Sequence, residues 1–260
     1  MEPAALPALH GWLWVMHGFA LFRAYAALWL LLLFLYWVAL LLSGLIPLVG
    51  PLAALCLIPG IGAGLMVACQ AAQQRQAPTL RHVIEPLRRN RKGQLQLGLV
   101  YLAGTLVALA ASSVADGGLF LRASLFGVER AVVMQAAPAF TLAFFVLMVV
   151  LAPGMVGFWF APALVHWQGM PPAKALFFSF FACLRNWRPF LVYALGWLFF
   201  LGTVPILIVF VLGLVLPADL RSATLASFIV MPYMLVVLGA MVCSFYSTYV
   251  AIFSDRQAPA

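Results

Sequence analysis

Charged residues are scarce in this chain, and their scarcity excludes a water-soluble fold. Asp, Glu, Lys and Arg together make up 8% of the 260 residues, whereas hydrophobic residues make up 66%, and the mean hydropathy is +1.11. A soluble domain has about 25% charged and about 45–50% apolar residues. Since so few polar side chains cannot cover a globule in water, the composition predicts a protein embedded in a lipid bilayer.

Cysteines, acidic residues and catalytic motifs are also few or missing. The four cysteines form no CxxC pair, so neither a disulfide framework nor a zinc site is expected. None of the six acidic residues falls inside a long apolar run, which argues against ion-coupled transport through an intramembrane carboxylate. HExxH, GxSxG and P-loop signatures do not occur. We therefore predict a protein that is not an enzyme, with no catalytic residue, no cofactor and no metal site.

What the chain has in abundance is long apolar runs. Each run is long enough to cross a bilayer, for which a helix needs about 20 residues. The runs lack the strict alternation of barrel strands, so they predict helices. The expected fold class is an all-α membrane protein with about six transmembrane helices. The runs cover residues 24–45, 51–72, 94–113, 137–165, 190–216 and 224–253.

A weak internal repeat organises these runs. Sliding the chain by 94 residues places Pro59-Gly60 on Pro153-Gly154 and Arg91 on Arg185. We predict three helical hairpins, each preceded by a cytoplasmic interfacial helix, within a single transmembrane domain. That domain covers residues 1–260, with weak repeats at about 11–75, 78–170 and 172–253.

The interfacial segments differ in character. Residues 79–92 place apolar side chains on one helical face and charged ones on the other, which is typical of an amphipathic helix at the membrane surface, and Pro86 is expected to bend it. Residues 172–185 and 11–23 are apolar nearly all round and are expected to lie deep or buried.

The distribution of Lys and Arg predicts the orientation. Eleven of the fourteen basic residues fall on one side of the predicted spans and three on the other, so the positive-inside rule predicts cytoplasmic termini in a bacterial inner membrane. The eleven are Arg23, Arg75, Arg81, Arg88, Arg89, Arg91, Lys92, Lys174, Arg185, Arg188 and Arg256, and the three are Arg122, Arg130 and Arg221.

One short loop concentrates positive charge in Arg88, Arg89, Arg91 and Lys92. Each basic residue near an anionic leaflet contributes about 1 kcal/mol of attraction. These four residues are candidates for contact with lipid headgroups or for docking of a partner, and the alternative interpretation is a determinant of topology alone. Because basic residues cluster only here, no nucleic-acid surface is expected.

Prolines inside the apolar runs mark candidate helix kinks at Pro59, Gly60, Pro153, Gly154 and Pro232. Broken helices near the membrane midplane form substrate sites in many transporters. Alternatively, proline bends a span and glycine permits close packing of helices. We favour packing because no charged residue accompanies either Pro-Gly pair.

The N-terminal pattern Gly11-Trp12-x-Trp14, followed by Gly18 and Arg23, resembles a signature of uncharacterised proteobacterial integral membrane proteins. The Leu45–Pro51 turn fits the same family. The resemblance implies a six-span fold in a bacterial inner membrane and implies no activity. In this setting Trp12 and Trp14 suit the headgroup region. The layout is more distantly similar to the membrane portion of some glycerophosphodiester phosphodiesterases, whose catalytic domain is absent here.

Two functions are consistent with these patterns. The first is a non-catalytic protein that acts through lateral contacts, as an accessory subunit or assembly factor of a larger membrane complex. The alternative is a channel, permease or lipid-handling transporter that uses the kinked helices. The expected partners are membrane lipids and other integral membrane subunits.

Overall fold

The computed structural model describes residues 3–215 and 223–253, and within these ranges the chain is helical and has no strand. A π-helical segment covers Phe199–Thr203. The helices are α1 His10–Ala24, α2 Ala26–Gly44, α3 Val49–Gln73, α4 Leu80–Arg89, α5 Arg91–Asp116, α6 Leu119–Phe126, α7 Arg130–Gln135, α8 Ala137–Phe158, α9 Ala161–Gln168, α10 Pro172–Arg185, α11 Trp187–Leu198, α12 Val204–Val215 and α13 Ala223–Phe253.

Six helical stretches are long and apolar enough to cross a membrane, as the sequence predicts. The all-α membrane fold is therefore confirmed. The arrangement as three hairpins and the cytoplasmic placement of the termini stay predictions, and Arg221 and Arg256 of the orientation count lie outside the described residues. The six stretches are Ala26–Gly44, Val49–Gln73, Arg91–Asp116, Ala137–Gln168, Trp187–Val215 and Ser227–Phe253.

Two short helices, α6 and α7, lie between the third and fourth spans, where the sequence pattern predicts only a connection. The side chain of Asp116, the last residue of α5, binds backbone groups at the start of α6. Its carboxylate oxygens accept hydrogen bonds from the backbone N–H of Gly118 at 2.9 Å and of Phe120 at 2.6 Å. Gly117 and Gly118 adopt φ of +64° and +87°, a conformation that glycine reaches without strain. The long helix α5 therefore stops, and α6 begins, within two residues.

The chain divides into two compact units. The first unit contains the described parts of residues 1–34, 65–82 and 182–260, and the second contains residues 35–64 and 83–181. The helices α2, α3, α4 and α10 contribute residues to both units. The packing inside each unit is described separately below.

In the first unit, α1 packs against α11 and α13. A Cβ atom added at Gly11 would overlap the carbonyl oxygen of Pro189, so only glycine allows this approach of α1 to α11. Trp14 is 1% exposed, with its ring 5.3 Å from that of Phe190 and 6.0 Å from that of Tyr193. Trp14 thus packs inside the protein rather than among headgroups, whereas Trp12 and Leu13 of the same segment are exposed, so the expected burial holds for one face of the helix alone.

In the second unit, α5 packs closely on α8 and on the first half of α3. Ala108 and Leu109 of α5 form a small core with Leu147 of α8. A Cβ atom added at Gly98 would overlap the carbonyl oxygen of Cys56. Small residues at such contacts let membrane helices approach closely.

None of the four cysteines, all of which lie in the described part of the chain, forms a disulfide bond, as the sequence predicts. Cys183 lies near the end of α10, outside the six spans, and burial raises the pKa of its thiol to about 12. The thiol is therefore protonated near neutral pH and is a weak nucleophile.

We expect little alkylation of Cys183 by iodoacetamide in the folded protein, and we expect the alkylation to increase as the pH rises towards the pKa of the thiol. Peptide mass spectrometry measures it, with detergent-denatured protein as the fully reactive control, and rapid labelling of the folded protein near neutral pH would contradict the assignment.

Candidate functional site

The basic cluster lies at a break between two helices. Arg88 and Arg89 end α4, Arg91 and Lys92 begin α5, and all four side chains are exposed. Cations at the end of a helix are favoured by its dipole, whereas cations at the start oppose it. Arg91 and Lys92 therefore weaken the start of α5. Their charge thus contributes nothing to helix stability, which favours a role in binding an anionic ligand or surface.

A single residue separates the two helices. Asn90 has φ −124° and ψ 45°. Similar single-residue breaks occur at Tyr25, between α1 and α2, and at Asn186, between α10 and α11, with φ/ψ of −142°/42° and −108°/26°. We call these three breaks elbows. An arginine lies one or two residues before each of them, at Arg23, Arg89 and Arg185.

Side-chain amides hold the Asn90 elbow on α9. The Nδ2 of Asn90 donates to the carbonyl oxygen of Val165 at 2.7 Å. One turn later, the Nε2 of Gln94 donates to the carbonyl oxygen of Pro162 at 2.9 Å, and Gln94 is 1% exposed. These bonds join residues about 70 positions apart in sequence, so they fix the basic cluster against α9 within the second unit.

One carboxylate accompanies the basic cluster. A side-chain oxygen of Glu85 lies 3.6 Å from Arg89 and 4.0 Å from Nε2 of His166. The exposed Glu85–Arg89 pair contributes little to stability, about 0.3–0.5 kcal/mol at this helical spacing. Within the part of the chain that the structure describes, Arg88, Arg91 and Lys92 have no ion-pair partner. Three positive charges are thus available to an anionic ligand or surface.

Within the second unit, the apolar face of α4 packs on α3. Val83 and Pro86 are buried, and Pro86 lies inside the helix. A Cβ atom added at Gly64 would overlap the Val83 carbonyl oxygen, and one at Gly60 would overlap the Leu87 side chain. The glycines of α3 therefore form the surface on which α4 lies.

The candidate kinks fall into two groups. Pro59 and Gly60 are buried beneath α4, whereas Pro153, Gly154 and Pro232 are exposed. A Cβ atom added at Gly154 would meet no described atom within 4 Å. The two Pro-Gly pairs, alike in sequence, thus occupy different environments.

The exposed Pro232 precedes a tyrosine that contacts irregular backbone. The hydroxyl of Tyr233 donates to the carbonyl oxygen of Phe200 at 2.7 Å, within the π-helical segment. Side chains commonly satisfy backbone groups that an irregular membrane helix leaves without a partner. The contact supplies a structural reason for the tyrosine beside this kink.

Sequence reasoning missed the amides of the elbows. Asn186 is fully buried, donates to the carbonyl oxygens of Ala4 at 2.8 Å and Ala182 at 2.9 Å, and accepts a hydrogen bond from the Leu6 N–H at 2.9 Å. The available signal was an Asn directly after an Arg and four residues before the start of an apolar run, at both Asn90 and Asn186. Within the described ranges, no group of three or more His, Cys, Asp or Glu residues could hold a metal ion.

The chain is similar over nearly its whole length to a bacterial membrane protein. It is 33% identical over 266 aligned positions to a probable inner membrane protein of Burkholderia thailandensis, and the alignment covers 99% of this chain and 96% of that protein. No protein-family model and no solved structure matches the chain.

Proposed function

The chain belongs to the same family as the probable inner membrane protein of Burkholderia thailandensis, and on this premise we propose that it acts through lateral contacts in the membrane. It would serve, without catalysis, as an accessory subunit or assembly factor of a larger membrane complex. The six apolar helices and the relative support a multi-pass protein of the inner membrane. The lateral-contact role rests on the surfaces of those helices.

Several spans bury little of their surface within the chain. In α12, the second half of Trp187–Val215, Pro205 is the one buried residue, and in the most apolar 18 residues of Ala26–Gly44 and Ala137–Gln168 the buried share is 11%. These faces are available to lipid and to helices of another protein. Every membrane helix exposes some surface to lipid, so exposure alone does not indicate a docking surface. The residue types on the exposed faces distinguish docking of a partner from contact with lipid.

The observation that carries the proposal is a set of open glycines. Gly104 on α5, Gly154 on α8 and Gly213 on α12 lie in three different spans, and a Cβ atom added at any of them would meet no described atom within 4 Å. Glycine weakens a helix by about 1 kcal/mol relative to alanine. Glycine also allows another membrane helix to approach closely. Open glycines on lipid-facing surfaces therefore favour docking of partner helices over contact with lipid alone.

Copurification tests this proposal. We expect a stoichiometric larger partner when the protein is isolated from its native membrane in mild detergent and identified by mass spectrometry. Replacing Gly104 with Leu should lower the partner yield about tenfold, which corresponds to about 1.4 kcal/mol of association free energy, because the added side chain blocks close approach. The variant should remain folded, since the surrounding space is open.

Val100→Leu is the matched control. Val100 lies one turn earlier on α5 and is 48% exposed, and it is already bulky, so its replacement should leave the partner yield unchanged. A homogeneous small oligomer that carries solute or lipid, without a stoichiometric partner, would refute the accessory role. That outcome would favour a channel, permease or lipid-handling transporter instead.

A further inference from the structure

A cavity opens beside the Tyr25 elbow in the first unit. It has a volume of about 430 Å³ and is lined by residues from the end of α1, the start of α2 and α13. Its walls are apolar, with Met16, Ala20 and Val236 among the lining residues, and Arg23 is its one charged lining residue. The cavity is large enough for a small ligand, since such sites usually measure about 300–1,000 Å³.

The helix α2, which begins beside the cavity, has the length of a membrane span. The helix has 19 residues and, at 1.5 Å per residue, is about 28 Å long. This length is close to the hydrocarbon thickness of about 30 Å. Arg23 precedes this candidate span by three residues.

The charge of Arg23 has no protein partner within the described ranges, where the recorded ion pairs both involve Glu85. The side chain is exposed, and the cavity walls contain no carboxylate. A guanidinium recognises a phosphate through paired N–H donors. An apolar cavity with one unpaired cation in its lining therefore complements a ligand with an acyl chain and an anionic headgroup.

We propose that this cavity binds one anionic phospholipid, with its phosphate on Arg23 and part of an acyl chain between α1 and α13. The occupant is a lipid rather than free phosphate because most of the lining is apolar. It is anionic rather than zwitterionic because the lining offers a cation and no acidic group to meet a choline or amine. This site is separate from the cluster at Arg88–Lys92 and does not depend on the accessory role.

Photo-crosslinking tests the proposal with the full-length protein. The protein is reconstituted into phosphatidylcholine nanodiscs that contain a minority of phosphatidylglycerol with a photoactivatable acyl chain. After illumination, we expect crosslinks on the peptides that carry residues 16–26 and Val236. Replacing Arg23 with Gln should lower this crosslinking about fivefold, because one basic side chain near anionic lipid is removed.

Two further variants separate the site from general attraction of anionic lipid. Arg185→Gln removes the exposed arginine before the Asn186 elbow and should leave crosslinking at residues 16–26 unchanged. Ala20→Trp fills the cavity from an exposed position and should abolish crosslinking there while Arg23 remains. Equal labelling by photoactivatable phosphatidylcholine, an Arg23→Gln variant that labels like wild type, or occupation of the cavity by a helix of another protein would overturn the proposal.

Discussion

Replacing Gly98 with Ala is expected to lower the free energy of unfolding by about 3 kcal/mol, the upper range for overpacking a tightly packed contact. The new Cβ atom would overlap the carbonyl oxygen of Cys56 and lie 2.9 Å from its Sγ. A backbone carbonyl cannot rotate away, so α5 must separate from α3. The corresponding fall in melting temperature, about 10 °C for a protein of this size, is measured in mild detergent.

Gly104→Ala is the control, six residues later on the same helix. Its added Cβ atom would meet no described atom within 4 Å, and alanine favours a helix by about 1 kcal/mol relative to glycine. The melting temperature should therefore stay the same or rise slightly. A similar fall for both variants would show that glycine content, rather than the contact with Cys56, determines stability.

This pair of glycines also shows how far the sequence can predict the packing. Gly98 and Gly104 lie in the same apolar run, and nothing adjacent to them in sequence indicates that one meets a backbone carbonyl and the other open space. The same applies to Pro59-Gly60 and Pro153-Gly154, of which only the first pair is buried. Periodicity and motifs are local, whereas burial depends on which distant helix packs there.

The spans themselves were predictable because run length and apolarity decide them. The run at 24–45 matches Ala26–Gly44, and the run at 137–165 matches Ala137–Gln168. The exact ends of the short helices were less predictable. The basic segment 79–92 was expected to be one helix, yet α4 ends at Arg89, because Asn90 bonds to a carbonyl on α9. Asn side chains that bond to backbone compete with helix continuation, and their partners are remote in sequence.

The charged residues of the candidate site were predictable from the sequence, whereas the contacts that hold them in place were not. Arg88, Arg89, Arg91 and Lys92 are exposed, and their clustering is visible in the sequence, although their role in binding stays a prediction. The buried Gln94 that holds α5 to α9 looks, in sequence, like one polar residue at the start of a span. A single buried amide among apolar residues becomes informative only when its acceptor is known.

A substitution at Asn186 is expected to destabilise the protein as strongly as the one at Gly98. Replacing Asn186 with Leu should release the N-terminal segment before α1 and lower the free energy of unfolding by about 2–5 kcal/mol. The half-buried Leu6 N–H and Ala4 carbonyl oxygen would each lose a hydrogen bond, and a polar group that loses its partner costs about 1–3 kcal/mol where water does not replace that partner. Hydrogen–deuterium exchange of the peptide covering residues 3–9 should speed up markedly, because the Leu6 amide is bonded directly to Asn186.

Two comparisons make this expectation specific to the bonds of Asn186. Asn186→Asp keeps an acceptor for the Leu6 N–H but loses the donor to Ala4 and Ala182, so it should also destabilise the protein, since a carboxylate would face two carbonyl oxygens. Asn90→Leu breaks the corresponding elbow of the second unit, where the bond runs to Val165, and should leave exchange at residues 3–9 unchanged. If Asn186→Leu and Asn90→Leu altered the N-terminal peptide equally, the effect would reflect global destabilisation, and Asn186 would not be the residue that anchors the N-terminal segment.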